Sequence, residues 1–443
     1  MRRFSALLAV LVSLCLLPGQ LVASNQKPAK PQDHPIALIG ATLHTVSGET
    51  IKDGVLLFEH GKITGLGVGI VVPDNTERIN MIGMHVYPGL IAAHTNLGLI
   101  EIGSVRGTLD INEIGDITPS VRTLPAVNPD SELLPVTRAN GVLMALVVPN
   151  GGLIAGISGL IMLDGWTWEE MTLKSAVGLH VWWPSMDHNR VQLTPTVEEQ
   201  QKRIEGQIQA IRDAFRAARG YWVAKTAASA ANAPYHDSDL SWEALIPVLK
   251  KEMSVFVHAN DIKQIQTAID WAADEGVRMV LVGGYDAWRV ADRLKQHDIP
   301  VILDGTHRLP VREWEAYDTP FSSAAKLFQA GVAFCLSTGA DNYNERNLPF
   351  QAATAAAYGL PKEEALKAVT LYPARILGVA DRVGSLEVGK DATLIVTNGD
   401  PLEVVTQIER AYIGGRRVDL SSKHTDLYDK YQTKYDRETA QPK

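Results

Sequence analysis

The chain has 443 residues, 46% of them hydrophobic and 21% charged, with a formal net charge of −8. That length suits two or three domains of roughly 100–200 residues, or one α/β barrel of about 250 residues with an accessory domain. The composition excludes disordered and collagen-like chains, and the acidic balance gives no electrostatic reason to bind nucleic acid or anionic lipid.

Residues 1–24 read as a secretory leader. Arg2 and Arg3 supply the positive start, Leu7 to Leu17 the apolar segment, and "LVAS" the small residues for cleavage after Ala23 or Ser24. The apolar stretch falls short of the roughly 20 residues that span a bilayer, so a retained anchor is the weaker reading. Bulky Leu14 argues against lipid attachment at Cys15. The expectation is a periplasmic or secreted protein that has no membrane partner after cleavage. Removing the leader moves the formal charge from −8 to −10 and leaves Cys335 as the lone cysteine, so no intramolecular disulfide can form. Cys335, in the apolar run "GVAFCLSTG", reads as a buried hydrophobe.

Residues 25–87 carry short strand patterns: "IALIGATLHTV", "GVLLFEHGKITGLG" and "MIGMHVYPG". Glu59–Ile63, "EHGKI", punctuates two alternating runs as a hairpin turn does. Residues 376–420 look similar, with "GSLEVGKDATLIVTNGD" and "IERAYIGGRRVDL". The economical reading is one small β-sandwich built from both ends, with a barrel over 88–375 between them and a tail at 421–443.

The barrel region alternates apolar runs with helical patterns, which predicts an α/β architecture with parallel strands. Eight runs qualify: "PGLIAAH", "GVLMALVVP", "SGLIMLDG", "VGLHVWWP", "MSVFVHAN", "RMVLVGG", "IPVILDGTH" and "VAFCLSTGAD". That is the count a (β/α)8 TIM-like barrel requires. The stretch from Thr196 to Trp222 is helical but too long for a simple connector, and reads as an insertion; "LPKEEALKAVTLYPARILG" reads as two late helices.

Barrel sites sit at the C-terminal ends of the strands. His94, His180 and His258 fall there, as does Asp341 after the last run, and imidazole with carboxylate suits zinc and similar ions. Each histidine taken alone is more often a structural residue; three at matching strand ends plus a carboxylate carry more weight. His307, after the seventh run, reads equally well as a site or a loop histidine. Asn96, two residues after His94, shares its face if the strand continues. The loop "EIGSVRGTLDINEIGDITPSVR" brings Arg106, a candidate for a substrate carboxylate, and Trp182 and Trp183 are either pocket walls or core. The glycine-rich "GGLIAGISG" lacks phosphate-loop spacing.

"VYPGLIAAHTNLG" resembles the "PGLIDxHxHxG" signature of the amidohydrolase superfamily, and "TLYPARILGVADRVGSLEVGKDATLIV" is similar to that family's tail. The resemblance covers most of the mature chain and is closest to the imidazolonepropionase-like secreted amidohydrolases. It implies a distorted barrel with a β-sandwich, a divalent metal, and hydrolysis of an amide or cyclic amide. The sequence departs from the pattern at the site. Ala92 or Ala93 stands for the family's aspartate, Asn96 for the second histidine, and Gly283 and Gly284 for the histidine after the sixth strand. With His180 where a bridging Lys or Glu is usual (Lys174 and Lys225 being the weaker alternatives), the expectation is one divalent ion, zinc by its ligand chemistry. His94, His180, His258 and Asp341 would hold it, with Asp341 also as proton acceptor and Asn96, Arg106 and His307 on the substrate. Two functions compete: a metal-dependent hydrolase of a small-molecule carbon–nitrogen bond, and a non-catalytic binding protein on a scaffold that has lost ligands. A homo-oligomer is compatible with either.

Overall fold

In the computed structural model of the chain, residues 27–187, 195–228, 237–339 and 342–439 are described. The expected leader lies outside them. Among the described residues no helix is long and apolar enough to cross a membrane.

The first five strands are β1 (Ile36–His44), β2 (Thr50–Glu59), β3 (Lys62–Gly67), β4 (Glu77–Asn80) and β5 (His85–Pro88). The predicted hairpin joins β2 and β3 through His60 and Gly61, both at positive φ, as a two-residue turn with matching twist requires. β1 pairs β2 along one edge, and β4 then β5 along the other.

The next eight strands form the barrel sheet. They are β6 (Leu90–Thr95), β7 (Val142–Val147), β8 (Ile154–Met162), β9 (Thr172–Trp182), β10 (Ser254–Ala259), β11 (Met279–Gly283), β12 (Val301–Asp304) and β13 (Phe334–Ser337). Each overlaps one of the eight predicted runs, β8 and β9 beginning four and five residues before theirs, and they follow one another in chain order across the sheet. Its two edge strands approach each other: Ser337 Oγ donates to the His94 carbonyl at 3.2 Å, and Ile91 and Cys335 share one buried cluster.

One expectation is corrected. β8 runs antiparallel to both β7 and β9, so the sheet is not all parallel. Only residues 148–153 separate β7 from β8, whereas a parallel crossover needs about a dozen residues or more. The chain can only turn back.

Outside the barrel, the helix Ile262–Glu275 shows how local sequence fixes an element. Asp261 and Gln264 form a capping box, Gly276 ends the helix at φ +65°, and Ile265, Ala268, Ile269 and Ala272 bury one face. The predicted insertion is the helix Val197–Ala228, and the two late helices are Lys362–Lys367 and Leu371–Ile376. The tail contains a solvated helix, Lys423–Thr439.

β14 (Leu394–Thr397), β15 (Ile408–Ile413) and β16 (Arg416–Val418) return the chain to the first sheet. β14 pairs antiparallel with β5, with Val86 opposite Val396 and Pro88 opposite Leu394. Both chain ends thus make one eight-stranded sheet, and Leu38, Leu56, Phe58, Val86, Leu394, Val396 and Tyr412 form a shared core.

Candidate active site

Four strand ends deliver titratable side chains to one place. His94, His180 and His258 lie near the ends of β6, β9 and β10, and Asp304 closes β12. The three histidines are at most 7% exposed. His94 Nδ1 lies 2.9 Å from Asp304 Oδ1 and 3.2 Å from Oδ2. His180 Nδ1 lies 2.8 Å from His258 Nε2, and the His94 and His258 ring centroids are 5.1 Å apart. In the β9–β10 ladder His258 stands opposite Trp182, whose indole stacks on the imidazole at 3.8 Å.

Burial, reinforced by the neighbouring imidazoles, holds the His180 and His258 pKa values well below the usual histidine range. Both are neutral bases at physiological pH. Burial also acts to depress the His94 pKa, but the Asp304 carboxylate more than offsets it, so the net displacement is upward. Glu345 is fully buried in the short turn Glu345–Asn347 after β13. Burial raises its pKa to about 7, against the opposing pull of Thr95, Thr338 and His94. The Thr338 hydroxyl donates to Glu345 Oε2 at 2.8 Å.

Donor chemistry at this cluster suits a divalent ion. His94 Nε2 and His180 Nε2 are both buried and have no hydrogen-bond partner among the described residues. A carboxylate on the far nitrogen, as Asp304 is on His94, is the usual support of a metal-ligating imidazole. Among the described residues no three His, Cys, Asp or Glu side chains already converge on one point as a bound ion requires.

The other sequence-predicted residues that are described make contacts of their own. Asp341 lies outside the described residues. Asn96 is buried, but its Nδ2 donates to the Val148 carbonyl at 2.9 Å, tying together the chain beyond β6 and β7. Asn96 lies just beyond β6, which ends at Thr95 and whose ladder with β7 is irregular between Ala92 and Thr95, so the strand does not continue to it as the shared-face expectation requires. Arg106 stands on an exposed turn, Arg106–Thr108. His307 turns to the helix Leu348–Ala357, its Nε2 2.7 Å from Thr354 Oγ1. Lys174 donates to the Leu377 carbonyl at 2.9 Å, and Lys225 pairs with Glu243. Of the two tryptophans, Trp183 belongs to the core, bonded to Thr267 and packed on Trp271. Trp182 faces His258 and also lines a cavity of about 480 Å³ with Leu153, Pro184 and Ile204.

Sequence reasoning missed Asp304 and Glu345. Asp304 ends the apolar "VILD" as His94 ends the run "PGLIAAH", so applying the strand-end rule to carboxylates would have found it. Glu345 sits in "NYNERNLP", a polar stretch with no signal of burial.

Comparison with known proteins bears on the family and the fold. Residues 171–418 match the model of the Amidohydrolase family. Amidohydrolase tasK of Hapsidospora irregularis is 24% identical over 406 residues, covering 82% of this chain; the chain spans only 39% of that protein's length. The imidazolonepropionase of Micrococcus luteus is 24% identical over 417 residues, 85% of this chain and 94% of that one. Among solved structures, an amidohydrolase from Thermotoga maritima MSB8 superposes with a TM-score of 0.77 at 29% identity, over 87% of this chain and 99% of that one. A zinc-bound adenosine deaminase from Xanthomonas campestris shares the fold at 14% identity and a TM-score of 0.51, over 92% of this chain and 99% of that one. With a barrel sheet that gathers three histidines and an aspartate at its strand ends, and a family match over more than half of its length, the chain belongs to the Amidohydrolase family.

Proposed function

We propose that the protein is a metal-dependent hydrolase that cleaves a carbon–nitrogen bond in a small non-peptide or cyclic amide. The observation that carries this reading is His94, with Asp304 on Nδ1 and a buried Nε2 that has no partner among the described residues. His94, His180 and His258 would hold one divalent ion, zinc being the expected one from the ligand types. Such an ion, when bound, supplies polarisation of the scissile carbonyl and a lowered pKa for water.

The chain's own residues set the conditions for that chemistry. Asp304 fixes the tautomer and orientation of His94. Burial keeps His180 and His258 unprotonated and therefore able to donate lone pairs. Trp182 lies flat on His258, limiting that ring's rotation and shielding it from water. Glu345, with its pKa near 7, is a source and sink of one proton close to His94. The N-terminal pattern of residues 1–24 supports export, which N-terminal sequencing of the mature protein tests.

Metal analysis after incubation with zinc, manganese or nickel tests the central claim, together with a hydrolysis screen of N-acyl amino acids, dipeptides and cyclic amides. The expected result is one ion per chain, lost in His94→Ala and in His258→Ala, and turnover that follows metal content. The competing reading, a binding protein without catalysis, is favoured by Asn96 being committed to Val148 rather than to the site. Wild-type protein that takes up none of the three metals would establish that alternative.

A further inference from the structure

Two histidines of the β-sheet built from both chain ends take no part in the barrel cluster. His44 ends β1 and His85 opens β5, and these strands are parallel neighbours with Thr42 opposite His85. Each is also bonded along its other edge, His44 standing opposite Thr50 of β2 and His85 opposite Thr397 of β14. The sheet therefore fixes both backbones, as a preorganised site requires. His44 Nε2 lies 2.9 Å from His85 Nδ1. The His44 ring stacks on buried Tyr87, with 4.1 Å between centroids and 8° between planes. Both histidines are only partly buried and keep surface exposed to solvent.

The surroundings favour a cation between these rings. Burial brings the His44 pKa down to about 4, with His85 acting in the same direction and Asp400 against it, so the ring is neutral at physiological pH and keeps a lone pair. The charge of Asp400 acts on both His44 and Tyr87. Asp400 and Glu403 share Lys362, at 2.7 and 3.4 Å, so these three groups leave one net negative charge. One of the two facing nitrogens carries a ring proton. Moving that proton to the same ring's far nitrogen frees both lone pairs with no net change in protonation. Metal–imidazole bonds of about 2.0 Å put two ligand nitrogens about 2.8 Å apart at a right angle and about 3.3 Å apart at a tetrahedral angle. The observed spacing fits the right angle, the tetragonal geometry of copper(II). Copper also binds nitrogen donors more tightly than manganese, nickel or zinc, so a site of two imidazoles completed by water retains copper where it releases the others.

We propose that His44 and His85 form a second metal site, selective for copper(II), with the two ring nitrogens as adjacent ligands, water in the remaining positions and Tyr87 holding the plane of His44. It is independent of the barrel histidines and of the hydrolase reading. Chelator-treated, full-length mature protein is dialysed against micromolar free copper(II). Wild type should bind one copper ion more per chain than His44→Gln or His85→Gln, each of which keeps a polar side chain. Zinc uptake, which reads the barrel site, should be the same in all three proteins. Electron paramagnetic resonance of copper in the double variant His94→Ala/His258→Ala should show hyperfine splitting from two equatorial nitrogens. Equal copper uptake by wild type and a folded variant overturns the proposal, as does half-saturation only at millimolar copper, which marks adventitious surface binding. Should both glutamine variants melt below the wild type, the spectrum of the double variant decides, and the lack of two equatorial nitrogens there overturns the site. Copper uptake that depends on His44 in a protein that takes up no zinc would sink the barrel metal and leave this site standing.

Discussion

His94 and Asp304 are 210 residues apart in sequence and 2.9 Å apart in space, Nδ1 to Oδ1. The contact spans the barrel sheet from β6 to β12, strands that are not ladder neighbours. Its energetic role is to compensate the burial of an imidazole, and its chemical role is to leave Nε2 as the ring's free donor. Asp304→Asn should keep the volume but weaken that acceptor. We expect at least ten-fold weaker zinc binding, since supporting partners of this kind are worth roughly 10–100-fold in affinity. Asp304→Ala should in addition destabilise the fold by about 1–3 kcal/mol, because it strands a buried donor. Zinc titration and urea unfolding measure the two effects separately, and unchanged metal affinity in Asp304→Asn would remove the supporting role.

Glu345 makes stability depend on pH in a definite direction. Its pKa is raised to about 7 in the folded chain from 4.5, and burial is the main cause. Between those values the folded state holds more protons than the unfolded state, so this group's contribution is full below about pH 4.5 and is lost as pH rises through 7. Glu345→Gln, a mimic of the protonated form, should therefore gain relative to wild type across that window, by about 2–4 kcal/mol at pH 8. Urea unfolding of both proteins at pH 5, 6, 7 and 8 reads the difference. A constant offset across the series would contradict the assignment.

Gly178 is required by its neighbour. A Cβ there would lie 2.1 Å from Phe256 Cδ2, and the Phe256 ring packs against His180 at 5.1 Å. Gly178→Ala should force Phe256 to move, cost about 1–3 kcal/mol, and disturb His180. Thermal melting should show the loss, and zinc uptake should fall with it. A variant that matches wild type in both would show that β9 and β10 have room to shift.

The sheet shared by both chain ends should fold only as a whole. β14 supplies the antiparallel partner of β5, and Val396 and Leu394 are fully buried against strands from the N-terminal part. A chain ending at Thr370 lacks β14 to β16 and leaves that face open. It should give no cooperative thermal transition in circular dichroism and should be cut by trypsin within the first 90 residues. A sharp transition would show that β1 to β5 stand alone.

Asn96 offers a test in the opposite direction. Its side chain serves the Val148 carbonyl. Asn96→Ala should lower stability by about 1–2 kcal/mol through the unpaired carbonyl and change zinc affinity less than two-fold. A larger loss of metal would place Asn96 back among the residues that serve the ion.

Apolar run length and turn chemistry are local properties, and the sequence alone determined what depends on them: eight barrel strands, the His60–Gly61 hairpin, the long helical insertion, and the strand ends that carry His94, His180 and His258. The presence of strands at both ends of the chain was legible for the same reason. Strand direction and side-chain partners were decided by tertiary structure. β8 turns antiparallel because six residues cannot build a crossover, a constraint on chain path that apolar pattern does not express. Asn96 finds the Val148 carbonyl as its partner because β6 stops one residue earlier, a contact between chain ends of two strands that alternation along one strand does not express. Asp304 meets His94, and Glu345 loses its water, only when segments hundreds of residues apart close around the same buried volume; long-range burial sets both the pairing and the proton affinity, and no local pattern records it.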